Sequence, residues 1–169
     1  MVKYSINTLI LRQIDFMERI ARAFLAFTGF GYVVLLFYAY AYFADETVVR
    51  LNLDSEVYKF SNNTLFYTGL VIPAVIIIVC YSLGNLIKKQ SVSSNSYFKN
   101  EKAQRSLYSW SVSLAGAFNL FFSALLTAII FTNNQEGFQQ NGYIPLLVGS
   151  LVIILFWIIW LPLILRKNK

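Results

Sequence analysis

The chain has 169 residues, of which 57% are hydrophobic, 17% aromatic and only 13% charged, with a formal net charge of +6. A soluble domain carries about 25% charged residues, so this chain has too few to cover a core of its own size, and lipid is the alternative cover. Histidine is absent and cysteine occurs once, at Cys80, which excludes His-ligated haem, most zinc sites, Ser-His and Cys-His nucleophile pairs and an intrachain disulfide.

Residues Tyr4 to Arg19 predict an amphipathic helix lying in the membrane interface. Ile6, Ile10, Ile14, Met17 and Ala21 recur at helical spacing, with Arg12, Asp15, Arg19 and Arg22 on another side. Asp15 with Arg19, and Glu18 with Arg22, are expected to form exposed i,i+4 pairs worth tenths of a kcal/mol. The first predicted span runs from about Ile20 to Phe43. Ala39-Tyr40-Ala41 has the form of a signal-peptide cleavage site, but the apolar stretch is longer than an h-region and reads as a retained anchor.

The loop from Ala44 to Thr64 mixes Arg50 and Lys59 with Asp45, Glu46, Asp54 and Glu56, and interleaves Val48, Val49, Leu51, Leu53 and Val57. About twenty residues exceed a tight helix connection, and Thr47 to Leu53 reads in part as a short strand or interfacial segment that covers the end of the bundle or meets a partner. Arg50, Asp54, Glu56 and Lys59 are the candidate interaction residues, with Arg50 expected against an acidic group. Asn62-Asn63-Thr64 matches a glycosylation sequon.

The second span, about Leu65 to Ile87, carries a small-residue face of Gly69, Pro73, Cys80 and Gly84. Pro73 is expected to free a carbonyl about a turn earlier, for a neighbouring helix to satisfy. The loop from Lys88 to Ser106 is basic and serine-rich. The third span, about Leu107 to Phe131, places Ser109, Ser113, Gly116, Ser123 and Thr127 on one stripe with Asn119 at its margin. Small and hydroxyl residues let helices approach closely in lipid. The stripe therefore reads as the packing seam of the bundle, with a pore or crevice lining as the alternative, and Asn119 is expected to need a partner. The loop Thr132 to Gly142 is uncharged but for Glu136, and the fourth span runs from about Tyr143 to Leu165, with Pro162 near its end. Tyr38, Tyr40, Tyr42, Phe43, Phe66 and Tyr67 at one edge, and Tyr108, Trp110, Trp157 and Trp160 at the other, form an aromatic belt.

Together these elements predict an all-α fold: a single polytopic membrane domain over residues 1–169, a four-transmembrane-helix bundle with an N-terminal amphipathic interfacial helix over 1–19. Lys3, Arg12, Arg19 and Arg22, the five cations from Lys88 to Arg105, and Arg166, Lys167 and Lys169 bias both termini and the second loop to the cytoplasmic side of an inner membrane. No span holds an Asp, Glu, Lys or Arg in its middle third, which argues against proton pumping and carboxylate-driven transport. The basic residues flank spans rather than forming a nucleic-acid motif, so no nucleic-acid partner is expected.

The loop Glu46-Thr47-Val48-Val49-Arg50-Leu51-Asn52, followed by Tyr58-Lys59-Phe60-Ser61-Asn62 and Phe66-Tyr67, resembles that of small bacterial four-helix membrane proteins related to the first module of SdpI-type immunity proteins. Val49, Leu51 and Asn52 match; Arg50 stands where that family has His, and its Pro and Gly are absent. The resemblance implies membrane residence and, for some members, immunity or signalling, and transfers no site residue. No catalytic, cofactor-binding or metal-ligating set is expected, and the chain reads as a non-enzyme. The expected function is that of a structural or accessory subunit among other membrane proteins in the lipid bilayer. The alternative is a stand-alone sensor, immunity or pore-type protein.

Overall fold

The computed structural model describes residues 2–43, 46–49, 58–92, 101–133 and 144–166, with side chains described at 16–43, 47, 59–92, 101–133 and 144–165. Four helices dominate: α1 (Val2–Tyr42), α2 (Asn62–Lys89), α3 (Glu101–Asn133) and α4 (Ile144–Arg166). Each contains a segment long and apolar enough to cross a bilayer: Phe16–Tyr42, Asn62–Lys89, Glu101–Asn133 and Ile144–Leu165. All exceed the about 20 helical residues needed to cross the hydrocarbon core. The protein is an all-α four-helix bundle of the multi-pass membrane class.

Cross-helix contacts give the bundle an up-down-up-down course. Glu18 meets Lys88, Tyr32 meets Gly69, and Tyr40 meets Asn63, so α1 and α2 are antiparallel. Gln104 on Ile87 with Ser111 on Cys80 sets α3 antiparallel to α2, and Ser113 on Trp157 with Leu107 clustered beside Leu161 and Leu165 sets it antiparallel to α4. Gly116 opposite Phe24, and Asn119 opposite Gly29, make α1 and α3 parallel neighbours. Helix α3 contacts all three others and is the axis of the bundle. That position follows from composition. It holds more Ser, Gly, Ala and Asn than any other span, and small residues resist close helix approach least. Helix α4 is almost wholly apolar and packs through one face on α3, leaving Leu151, Val152, Leu155, Phe156, Ile158 and Ile159 exposed.

Two differences from the sequence reading concern the N-terminal half. The segment expected as a separate interfacial helix is continuous with the first span, because neither Gly nor Pro interrupts residues 2–28 to end a helix. Between α1 and α2, β1 (Glu46–Val49) pairs antiparallel with β2 (Tyr58–Ser61), Thr47 opposite Phe60. Of the segment Thr47 to Leu53, expected in part as a strand, Thr47 to Val49 are strand, and residues 50–53 lie outside the described residues. Alternation along the strand brings Thr47 fully inside while β1 lies against the ends of α2 and α3.

Candidate functional site

The polar residues of α3 divide among its neighbours rather than forming one seam. Gly116 is buried against α1; a Cβ there would stand 2.6 Å from two ring carbons of Phe24 and 3.3 Å from Thr28 Oγ1. Ser113 is half-buried on the other side, where its Oγ accepts from Trp157 Nε1 at 2.7 Å and donates to the Trp110 carbonyl at 3.0 Å. Trp110 Nε1 in turn donates to the Trp157 carbonyl at 2.8 Å. Trp110 and Trp157, expected in the belt, therefore clamp α3 to α4, and the Trp157 ring stacks on Phe24 of α1 at 6.4 Å. Ser123 and Thr127 are half-buried and donate along their own helix, to the carbonyls of Asn119 and Ser123. Ser109 is buried. Ser111, outside the expected stripe, carries the α3–α2 link: its Oγ donates to the Cys80 carbonyl at 2.6 Å.

Asn119 departs from expectation. It is 1% exposed, yet neither Nδ2 nor Oδ1 has a hydrogen-bond partner among the described residues. The surface it faces is α1 at Gly29, where an added Cβ would lie 3.3 Å from Nδ2. A helix interior offers Oδ1 no free backbone N–H, because each already bonds to a carbonyl of its own helix.

At the Lys88 end a polar cluster forms that the sequence reading assigned differently. Glu18 was expected in an exposed pair with Arg22. Instead it is 4% exposed, and its Oε2 accepts from Lys88 Nζ at 2.8 Å, across 70 positions of sequence. Helix packing turns Glu18 inward beside α2, whereas Arg22 stays exposed and its Nε donates to the Glu18 backbone carbonyl at 3.4 Å. The Lys88 ammonium also sits 4.8 Å above the Tyr108 ring. Next to it, Gln104 Nε2 donates to the carbonyls of Ile87 and Gln90 at 2.8 and 2.7 Å, closing the C-terminal end of α2. The side chain of Asp15, the other expected pairing, lies outside the described residues.

Midway to the other end, Tyr32 Oη donates to the Gly69 carbonyl at 2.6 Å. Pro73 lies four residues later and has no N–H for that carbonyl, so the expected neighbour is Tyr32. Beside this bond lies a cavity of about 140 Å³, walled mainly by Leu36, Leu65, Ile72, Phe122, Leu125 and Ile129.

At the hairpin end, Ser61 caps α2 by accepting from the Thr64 N–H at 3.2 Å. Asn62 reaches back to α1, its Nδ2 donating to the carbonyls of Tyr40 and Phe43 at 2.9 and 3.4 Å. The sequon nitrogen is thus committed to closing the α1 C-terminus. Buried Thr47 Oγ1 and Asn62 Oδ1 have no partner among the described residues. Of the loop candidates, Lys59 is exposed on β2, and Arg50, Asp54 and Glu56 lie outside the described residues, as does the acid expected for Arg50.

Chemically, these groups hold helices together. The carboxylate is matched by an ammonium, the hydroxyls donate to carbonyls, and no three His, Cys, Asp or Glu gather as a metal site among the described residues. Comparison with protein-family models, curated proteins and solved structures returns no match.

Proposed function

We propose that the protein is a non-catalytic membrane subunit that acts by contact, as a structural or accessory part of a larger membrane assembly in a bacterial inner membrane, with both termini cytoplasmic. The observation that carries this reading is the placement of polar chemistry. Tyr32, Ser111, Gln104, Trp110, Trp157 and Glu18 each join two helices of the same chain. The outward faces of α1, α2 and α4 present large apolar side chains such as Phe27, Phe30, Ile78, Leu86, Leu155 and Ile159. A rigid body with an apolar exterior suits packing against lipid and other helices. The second reading, a stand-alone sensor, immunity or pore-type protein, draws on the SdpI-type loop resemblance and on β1 lying over the ends of α2 and α3.

Native mass spectrometry after gentle extraction of the tagged chain tests the choice. Unrelated subunits at fixed stoichiometry are the expected result. A monomer or a symmetric homo-oligomer overturns the accessory reading in favour of the second.

A further inference from the structure

Arg22 lies inside the Phe16–Tyr42 span, where a guanidinium without a counter-charge is costly. Its surroundings show how that cost is met. Helix α2 ends at Lys89, so the Glu18–Lys88 pair marks the edge of the apolar layer. Arg22 starts four residues further along α1, about 6 Å deeper at 1.5 Å per residue. Its side chain doubles back to that edge, with Nε on the Glu18 carbonyl. Arg22 is exposed, and its two Nη groups have no hydrogen-bond partner among the described residues.

Lys88 is held just as firmly. Glu18 Oε2 and the Tyr108 ring fix its ammonium, while 45% of the side chain stays accessible. One buried residue therefore positions two accessible cations, through its backbone and through its carboxylate. Arg19 and Lys89 are exposed on the same helix turns.

We propose that this end of the α1–α2 interface binds the phosphate of an anionic phospholipid from the adjacent leaflet, with the Arg22 fork and the Lys88 ammonium as donors and Glu18 as the residue that positions both. A planar fork matches phosphate oxygens in pairs, and basic pockets between membrane helices attract anionic headgroups. Arg22 is reached from the lipid side, beside exposed Ala23, Ala26 and Phe27, which favours a headgroup whose tails remain in the bilayer. The proposal is independent of the accessory-subunit reading.

The test uses full-length protein in a delipidating detergent, with phosphatidylglycerol and phosphatidylcholine titrated at equal concentrations and adducts resolved by native mass spectrometry. A preference of roughly tenfold or more for phosphatidylglycerol is expected. Arg22→Gln should bring the two lipids close to parity, Arg22→Lys should keep part of the preference, and Lys59→Gln at the opposite end should keep all of it. Because Lys88→Gln would strand a buried carboxylate, Lys88 is tested as the Glu18→Gln/Lys88→Gln double variant, which should also lose the preference. Equal retention of both lipids by the native chain, or a full preference surviving in Arg22→Gln, overturns the proposal. So does inorganic phosphate that displaces phosphatidylglycerol and raises the unfolding temperature as much, which would make the ligand a free anion.

Discussion

The phenol of Tyr32 supplies the hydrogen bond that Pro73 denies to the Gly69 carbonyl, at 2.6 Å. Tyr32 is 6% exposed and belongs to the cluster of Leu36, Ala39, Leu126 and Ile130, so water is a poor substitute. Tyr32→Phe is expected to destabilise the bundle by about 1–2 kcal/mol. In a Pro73→Ala background the helix regains its own N–H donor, and the same substitution should cost much less. A double-mutant cycle by reversible unfolding in mixed micelles measures this; additive losses would mean that the bond does not answer the proline.

Gly116 packs closely against Phe24 where α3 meets α1. Gly116→Leu must displace the Phe24 ring, which is stacked on Trp157, and should cost about 1–3 kcal/mol or more. Leu155→Ile on the exposed face of α4 should be nearly neutral. Thermal unfolding in detergent reads both, and equal losses would displace the close contact from Gly116.

The Glu18–Lys88 pair is lopsided, with side-chain exposures of 5% and 45%. Removing the lysine leaves a charge in the interior, whereas removing the acid leaves a lysine that reaches solvent. Lys88→Met is therefore expected to cost about 3 kcal/mol, and Glu18→Gln clearly less. Denaturation midpoints of the two variants decide this, and the opposite order would show that the carboxylate is already hydrated.

Asn62 is a sequon residue whose amide nitrogen closes the C-terminus of α1. Expression in a glycosylating host should give unmodified protein. Asn62→Ala should cost about 1 kcal/mol through the lost caps. A glycan at Asn62 by mass spectrometry would mean that this end opens during synthesis.

Loop charge assigns opposite sides to the hairpin and to the Lys88 end. In a Cys80→Ala background, a cysteine at Lys59 should react with an impermeant thiol reagent in spheroplasts, and one at Ser91 should not. Both positions are exposed. The reverse labelling pattern would invert the topology while leaving the four spans intact.

Much of the architecture is legible in the residues. Apolar runs bounded by charge set four spans because hydrocarbon tolerates neither bare charge nor unpaired backbone. The lone proline of the second span announced a carbonyl in need of a donor. The concentration of Ser, Gly and Asn in the third span marked the helix that the others would approach. These are local constraints, each satisfied by a residue type and a spacing.

Tertiary structure alone decided who meets whom. Glu18 has Arg22 one turn away and Lys88 seventy positions away, and only the rotation of α1 against α2 turns its carboxylate toward the lysine. The α3 stripe reads as one face, yet its residues are shared between α1 and α4 because three helices crowd one axis. Trp110 and Trp157 look like belt residues until their indole N–H groups are seen to find acceptors inside the bundle. Asn119 needed a partner by its chemistry, and the close approach of Gly29 set a helix backbone opposite it, whose N–H groups are already spent within the helix. Periodicity specifies which face of a helix is apolar or small, but the angle and depth at which two such faces meet depend on every side chain between them.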